Sequence, residues 1–280
     1  MITWRWIRSG ANTPAMNMAI DEAMLTLHGE GKTLPTLRFY TWDPPTLSIG
    51  YFQKAEEEVD LDALRRRGIG FVRRPTGGRA VLHDRELTYS MVVSESYPGL
   101  PRRVTEAYRM LSEGLLEGFR QLGLRAEMAD LSSDSEKAKY ASAASAACFD
   151  SPSWYELVVE GRKAAGSAQM RQKGAVLQHG SILIDLDADL LFALLRFPNE
   201  RVKKRLRASF DDRAVAINEL RERSGLPRIG IAEAEEAFFR GMQEGMGIRL
   251  EEGELTPDEL RLAEQLAREK YATDEWNLRR

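Results

Sequence analysis

Cys148 is the only cysteine among 280 residues, so it has no partner for an internal disulfide. It follows a run of small residues, Ala141 to Ala147, and precedes Phe149-Asp150-Ser151-Pro152-Ser153. Such a small, polar setting reads as loop rather than core strand, and a free thiol there is a candidate nucleophile once ionised. Lys163 supplies a matching charge. It lies in Glu160-Gly161-Arg162-Lys163-Ala164-Ala165-Gly166-Ser167-Ala168-Gln169, just past a tight turn, where an ammonium can favour the thiolate. Plainer readings stand beside these: an inert cysteine buried as a small hydrophobe, and an ordinary exposed hairpin lysine.

The second concentration of chemistry is Arg73-Arg74-Pro75-Thr76-Gly77-Gly78-Arg79-Ala80-Val81-Leu82-His83-Asp84. Adjacent glycines remove side chains and let a ligand approach the backbone, or they simply close a hairpin flanked by exposed arginines. No Gly-Lys-Ser or Gly-Lys-Thr follows, and the glycines lack the spacing of a dinucleotide fingerprint. His83 is open to two readings, a pocket residue or a satisfied structural histidine. His83 and Asp84 make a poor dyad, because neighbours on a strand face opposite sides. His28, His83 and His179 are too far apart in sequence to form a short metal motif, and His179 reads as structural.

These residues need elements to position them. Thr13-Pro14 opens a helix running to His28, with Ala15, Ala19, Ala23 and Leu27 at helical spacing. Arg38 to Trp42 and Thr46 to Tyr51 read as strands joined by a turn at Asp43-Pro44-Pro45. A short helix over Asp60 to Arg67 stops at Gly68, and strands over Gly70 to Arg74 and Leu87 to Val93 flank the glycine loop. Val104, Tyr108, Leu111, Leu115, Phe119 and Leu122 set out a helix ended by Gly123 that covers a sheet face. Strands follow over Trp154 to Val159, Arg162 to Gln172 and Ala175 to Ile184, turned by Glu160-Gly161 and Lys173-Gly174. A two-residue first turn sets Lys163 opposite Val158, with 163, 165 and 167 sharing the face of 154, 156 and 158, so Lys163 and Ser167 are presented together. The segment from Leu131 to Ala147 reads as loop, and Asp187 to Tyr271 as mostly helical. The expectation is an α+β fold of two β-sheets with covering helices, a single domain over 1–280 with a helical C-terminal part.

With 40 basic and 43 acidic residues the net charge is −3, which gives no overall footprint for nucleic acid. The N-terminus lacks the apolar run of a signal peptide, no stretch is long enough to span a membrane, and a free thiol suits a reducing cytoplasm. Arg65-Arg66-Arg67 and the run Arg201 to Arg207 are local basic clusters that can steer an acidic partner, or simply form solvated helix faces.

The run Arg73-Arg74-Pro75-Thr76-Gly77-Gly78 resembles the Arg-Arg-x-Thr-Gly-Gly motif of the lipoate and biotin protein ligase superfamily. Cys148-Phe149-Asp150, the following Ser151 to Leu157, Gly161-Arg162-Lys163 and Gly166-Ser167-Ala168-Gln169 are similar to the LipM-type octanoyltransferases, in which a cysteine replaces adenylate chemistry. Lys270-Tyr271 with Glu275-Trp276-Asn277 is a third match. Arg79 stands where ligases commonly have a third glycine, and Arg85-Glu86 follow His83-Asp84, which speaks against an ATP site.

The resemblance implies a ligase-type catalytic domain, Cys148 and Lys163 as catalytic residues, and Arg73, Gly77, Gly78, His83, Gly166, Ser167 and Ala168 around the substrate. It implies no cofactor or metal, octanoyl-acyl carrier protein as donor, and as acceptor the glycine cleavage H protein or another lipoyl domain, with the enzyme acting as a monomer. Three rivals remain: an ATP-dependent lipoate or octanoate ligase, an amidotransferase moving octanoyl from H protein to dehydrogenase lipoyl domains, and a non-catalytic acyl- or carrier-binding module.

Overall fold

Alternation along the strands decides which side of the molecule each residue builds. A computed structural model describes residues 2–130 and 155–279; Cys148 and the segment from Leu131 to Ala147 lie outside them. In chain order the elements are β1 (Ile2–Asn12), α1 (Pro14–Gly29), β2 (Thr36–Trp42), β3 (Thr46–Ile49), α2 (Ala55–Glu58), α3 (Leu61–Arg67), β4 (Gly70–Arg73), β5 (Val81–His83), β6 (Glu86–Ser94) and α4 (Val104–Gln121). Then come β7 (Ala126–Asp130), β8 (Tyr155–Val159), β9 (Arg162–Gln172), β10 (Ala175–Leu183), α5 (Ala188–Ala193), α6 (Glu200–Phe210), α7 (Ile217–Arg223), α8 (Ile231–Met246) and β11 (Ile248–Glu252). The last are α9 (Pro257–Leu266), a π-helical turn (Ala267–Tyr271) and α10 (Asp274–Asn277).

An eight-stranded sheet has the order β11-β1-β2-β6-β10-β9-β8-β7, and a three-stranded sheet the order β4-β3-β5. With their covering helices they form the expected mixed α and β class. On one face of the large sheet Phe39, Tyr89, Met91 and Val176 meet Leu111, Leu115 and Phe119 of α4 and Phe238 and Met242 of α8. The two helices interlock through glycines: a Cβ on Gly241 would lie 2.2 Å from Gly118 N and 2.8 Å from Gly114 O. The opposite face carries α1, with Met18, Ala19, Ala23 and Met24 against Tyr40, Trp42 and Leu177. The small sheet has its own core, where Leu47, Ile49 and Val81 pack with Leu64, Phe192, Leu206 and Phe210.

Local chemistry explains the element ends. Thr13 caps α1 by accepting from Met16 N, with proline in the first turn. Asp60 caps α3, and Gly68 ends it at φ 65°. Both hairpin turns take positive φ at each central residue, Glu160 at 51° with Gly161 at 73°, and Lys173 at 54° with Gly174 at 76°, the twist that two-residue hairpins demand.

The two strands expected on either side of Asp43-Pro44-Pro45 are present and belong to different sheets, so that turn is a crossing point between layers. Two expectations change. The glycine loop joins β4 to β5 inside the small sheet, and β6 leaves for the large one. Lys163 does oppose Val158, but the register slips at Leu157/Val158 so that Leu157 opposes Ala165. That bulge puts Lys163 on the face of Val158, opposite the one that Leu157, Val159 and Ala164 bury in the core. Lys163 and Ser167 therefore do not share a face.

Candidate active site

Between the two sheets lies a small, partly enclosed cavity with a predominantly apolar lining. Strands β2, β6 and β10 turn Tyr40, Trp42, Thr88, His179 and Ser181 toward it, and α1 contributes Met18. Space comes from β9, where Gly166 opposes Ser181 and Ala168 opposes His179. Gly78, at φ 97°, and Val81 close it from the small sheet.

The polar groups around this apolar space are tied to one another in two relays. Arg74 Nη1 donates to Ser48 Oγ at 2.6 Å, Ser48 Oγ lies 2.8 Å from His83 Nε2, and His83 Nδ1 lies 3.0 Å from Glu86 Oε1. The carboxylate can only accept, so His83 donates from Nδ1 and accepts at Nε2. Its ring stacks on Trp42 with centroids 4.3 Å apart. Burial holds the His83 imidazole below its ordinary pKa despite the attraction of Glu86, which keeps it neutral. His83 thus lines the cavity with both ring nitrogens bonded.

The second relay runs from Thr76 Oγ1 to His179 Nε2 at 2.7 Å and from His179 Nδ1 to Asp21 Oδ2 at 3.0 Å. Asp21 also receives Arg38 Nη1 at 2.8 Å, Ser90 Oγ at 2.8 Å and Tyr40 OH at 3.0 Å. Burial pushes the Asp21 carboxyl up, but the His179 hydrogen bond and the Arg38 charge outweigh it and leave it below its ordinary value. This hub fixes Thr76, and with it the start of the glycine pair.

Arg73 is a correction. Its guanidinium is spent on the carbonyls of Gly50, Tyr51, Gln53, Trp276, Asn277 and Arg279, away from the cavity. The next residue does the lining: Arg74 Nη2 donates to Arg79 O at 2.8 Å and Gly77 O at 3.3 Å, pinning the loop from within. Gly77 faces an outer groove with Tyr51, Phe52 and Trp276 rather than the cavity. The glycines permit close layering, since a Cβ on Gly50 would lie 2.0 Å from Gly78 O.

Gly166, Ser167 and Ala168 do line the cavity. Ser167 turns its hydroxyl the other way, accepting from Tyr89 OH at 2.7 Å across the bare Gly180. Burial pushes the Tyr89 hydroxyl up to about 12. Lys163 is not in the lining; it is 5% exposed, its N–H donates to Arg213 O at 2.7 Å, and its carbonyl accepts from Val215 N at 3.0 Å. Sequence reasoning missed Asp21, Arg74, Tyr40, Trp42 and Ser181. Asp21 alone had a signal, an acid one turn after Asn17 inside the apolar stripe of α1. The Ser181 hydroxyl is buried and has no hydrogen-bond partner among the described residues. Those residues hold no metal-ligating cluster, and no helix among them is long and apolar enough to cross a membrane.

Residues 13–243 match the model of the lipoyl protein ligase A/B catalytic domain. Octanoyltransferase LipM of Anoxybacillus flavithermus is 62% identical over 277 residues, covering 99% of this chain and 98% of that protein. The LipM protein of Brevibacillus brevis is 62% identical over the full length of both chains. The chain belongs to the LipM octanoyltransferases. The fold agrees: the solved bipartite lipoate protein ligase of Thermoplasma acidophilum superposes with a TM-score of 0.80 at 30% identity, over 99% of this chain and 97% of that one. In this LipM family member, an acyltransferase, the cavity between the sheets has a predominantly apolar lining.

Proposed function

We propose that the chain moves octanoate from octanoyl-acyl carrier protein, through a thioester on Cys148, to a lysine of a lipoyl carrier domain, the glycine cleavage H protein in the first instance. The reaction belongs to lipoate biosynthesis in the cytoplasm. The reading is carried by the apolar cavity, whose surrounding histidines are spent on internal bonds, in a chain of the LipM octanoyltransferases. Six methylenes buried at about 0.8 kcal/mol each offer roughly 5 kcal/mol, enough to hold the acyl group without a charged anchor.

The donor arrives already activated. The Cys148 thiolate attacks the thioester carbonyl, a new C–S bond forms, and the carrier's sulfur leaves and takes up a proton. The acceptor amine then attacks the same carbonyl, the C–N bond forms as the bond to Cys148 breaks, and the amine proton passes to the departing thiolate. Lys163 is assigned to keep the thiol ionised and to orient the carbonyl, and the backbone amides over Gly166 to Gln169 to hold the oxyanion. No nucleotide enters this cycle, and that separates it from the ligase reaction.

Mixing the protein with octanoyl-acyl carrier protein in the absence of ATP, followed by intact-mass measurement, tests the reading. The wild type is expected to gain one octanoyl group, released by hydroxylamine and passed on to H protein, and Cys148→Ala to gain none. An adduct that forms only with ATP, or that survives in Cys148→Ala, would mean a ligase instead.

A further inference from the structure

Helix α6 carries Arg201, Lys203, Lys204, Arg205 and Arg207 on one short stretch. Arg207 is accounted for, paired with Asp189 at 2.6 Å and Asp211 at 3.0 Å. Leu206 and Phe210 face the core of the small sheet, which leaves Arg201, Lys204 and Arg205 exposed to solvent. None of these three forms an ion pair among the described residues. They stand three and four positions apart, so their mutual repulsion works against the helix that bears them. Many exposed cations elsewhere are paired on their own helix, as in Arg240 with Glu236 on α8 and Arg261 with Asp258 on α9, although Arg66 and Arg67 on the shorter α3 have no such pair among the described residues. A concentrated, unbalanced positive face on a chain of net charge −3 is a local reversal of sign.

The position of this face matters as much as its charge. Just past Phe210, at the end of α6, the segment from Arg213 to Val215 is bonded on both sides to the backbone of Lys163. The helix is 11 residues long, about 16 Å, and its far end is held by the strap in which Arg196 N donates to Glu58 O at 2.9 Å. A body seated on α6 is therefore registered directly against the strand that carries Lys163.

We propose that the outward face of α6, formed by Arg201, Lys204 and Arg205, is the docking surface for an acidic carrier protein that delivers the acyl thioester. The proposal rests on the carrier-donor reading given above. Carboxylates on the carrier meet the three cations and raise the encounter rate, while recognition of the acyl chain stays with the cavity.

The test uses the full chain with Arg201→Glu, Lys204→Glu and Arg205→Glu combined, and a second variant with glutamine at the same positions. Each is assayed with octanoyl-acyl carrier protein and with S-octanoyl-N-acetylcysteamine, an uncharged thioester without a protein. The expected result is a loss of kcat/KM of roughly tenfold or more with the carrier protein, smaller for the glutamine variant, and a flattened salt dependence. Turnover of the small thioester and the KM for H protein should not move. An unchanged carrier reaction, equal losses on both donors, or a raised KM for H protein alone would overturn the proposal. Loss of binding to anionic vesicles or DNA with unchanged carrier kinetics would also overturn it. If the wild type transfers from the small thioester but never from the carrier, the donor reading itself is at fault, a result distinct from all of these.

Discussion

Asp21 shows how one side chain can organise a site that it need not touch. It sits fully buried with four donors around it, and the Arg38 guanidinium beside it is equally dry. Asp21→Asn removes the charge and leaves Arg38 uncompensated, so a loss of about 3 to 5 kcal/mol in denaturant unfolding is expected. The pH dependence has a definite sign. The folded carboxyl titrates below its ordinary 3.8, so its contribution is complete above that value and disappears as the pH falls through the folded one. The gap between wild type and variant should stay constant from pH 8 to pH 5 and narrow only below about 4. At this scale the sequence was partly readable. The glycine pair and His83 stood out by type, but Arg73 and Arg74 are consecutive residues whose roles are separated by which way each side chain leaves the backbone. Nothing in a one-dimensional motif carries that direction.

Elements were read best where their determinants are local. The two hairpin turns of β8-β9-β10 follow from Glu160-Gly161 and Lys173-Gly174, and α4 from its period and the Gly123 stop. Strands β1 and β11 escaped notice because they pair in parallel across nearly the whole chain, Ile2 with Ile248, and leave no turn signal. The bulge on β9 escaped for a related reason, since a one-residue slip against β8 appears only once the partner strand is in place. The α4–α8 contact yields a prediction of its own. In Gly241→Ala the added methyl meets backbone of Gly114 and Gly118, which has nowhere to go, so unfolding should become easier by about 1 to 3 kcal/mol. The cavity lies on the other face of the sheet, and kcat well below the melting temperature should therefore be unchanged, which calorimetry and an octanoyl-transfer assay together would check.

For the whole molecule, the proposed function makes the space between the two facing sheets the seat of the acyl chain. Neighbouring chain lengths differ by about 1 to 3 kcal/mol per methylene, so preference should fall off gradually on both sides of eight carbons. Val81 lies on the small-sheet wall, and Val81→Phe should move the optimum toward hexanoyl, read as the ratio of kcat/KM for hexanoyl and octanoyl thioesters. An unchanged ratio would mean that the acyl chain runs elsewhere. The hold of Arg73 on the carbonyls of Trp276, Asn277 and Arg279 carries a separate implication. Proteolytic loss of residues 276–279 would strip acceptors from a buried guanidinium adjoining Arg74, and so slacken the glycine loop from a distance. Enzyme nicked in this way would go silent with every group around the fatty chain still intact, a hazard to check by mass whenever a preparation fades on storage.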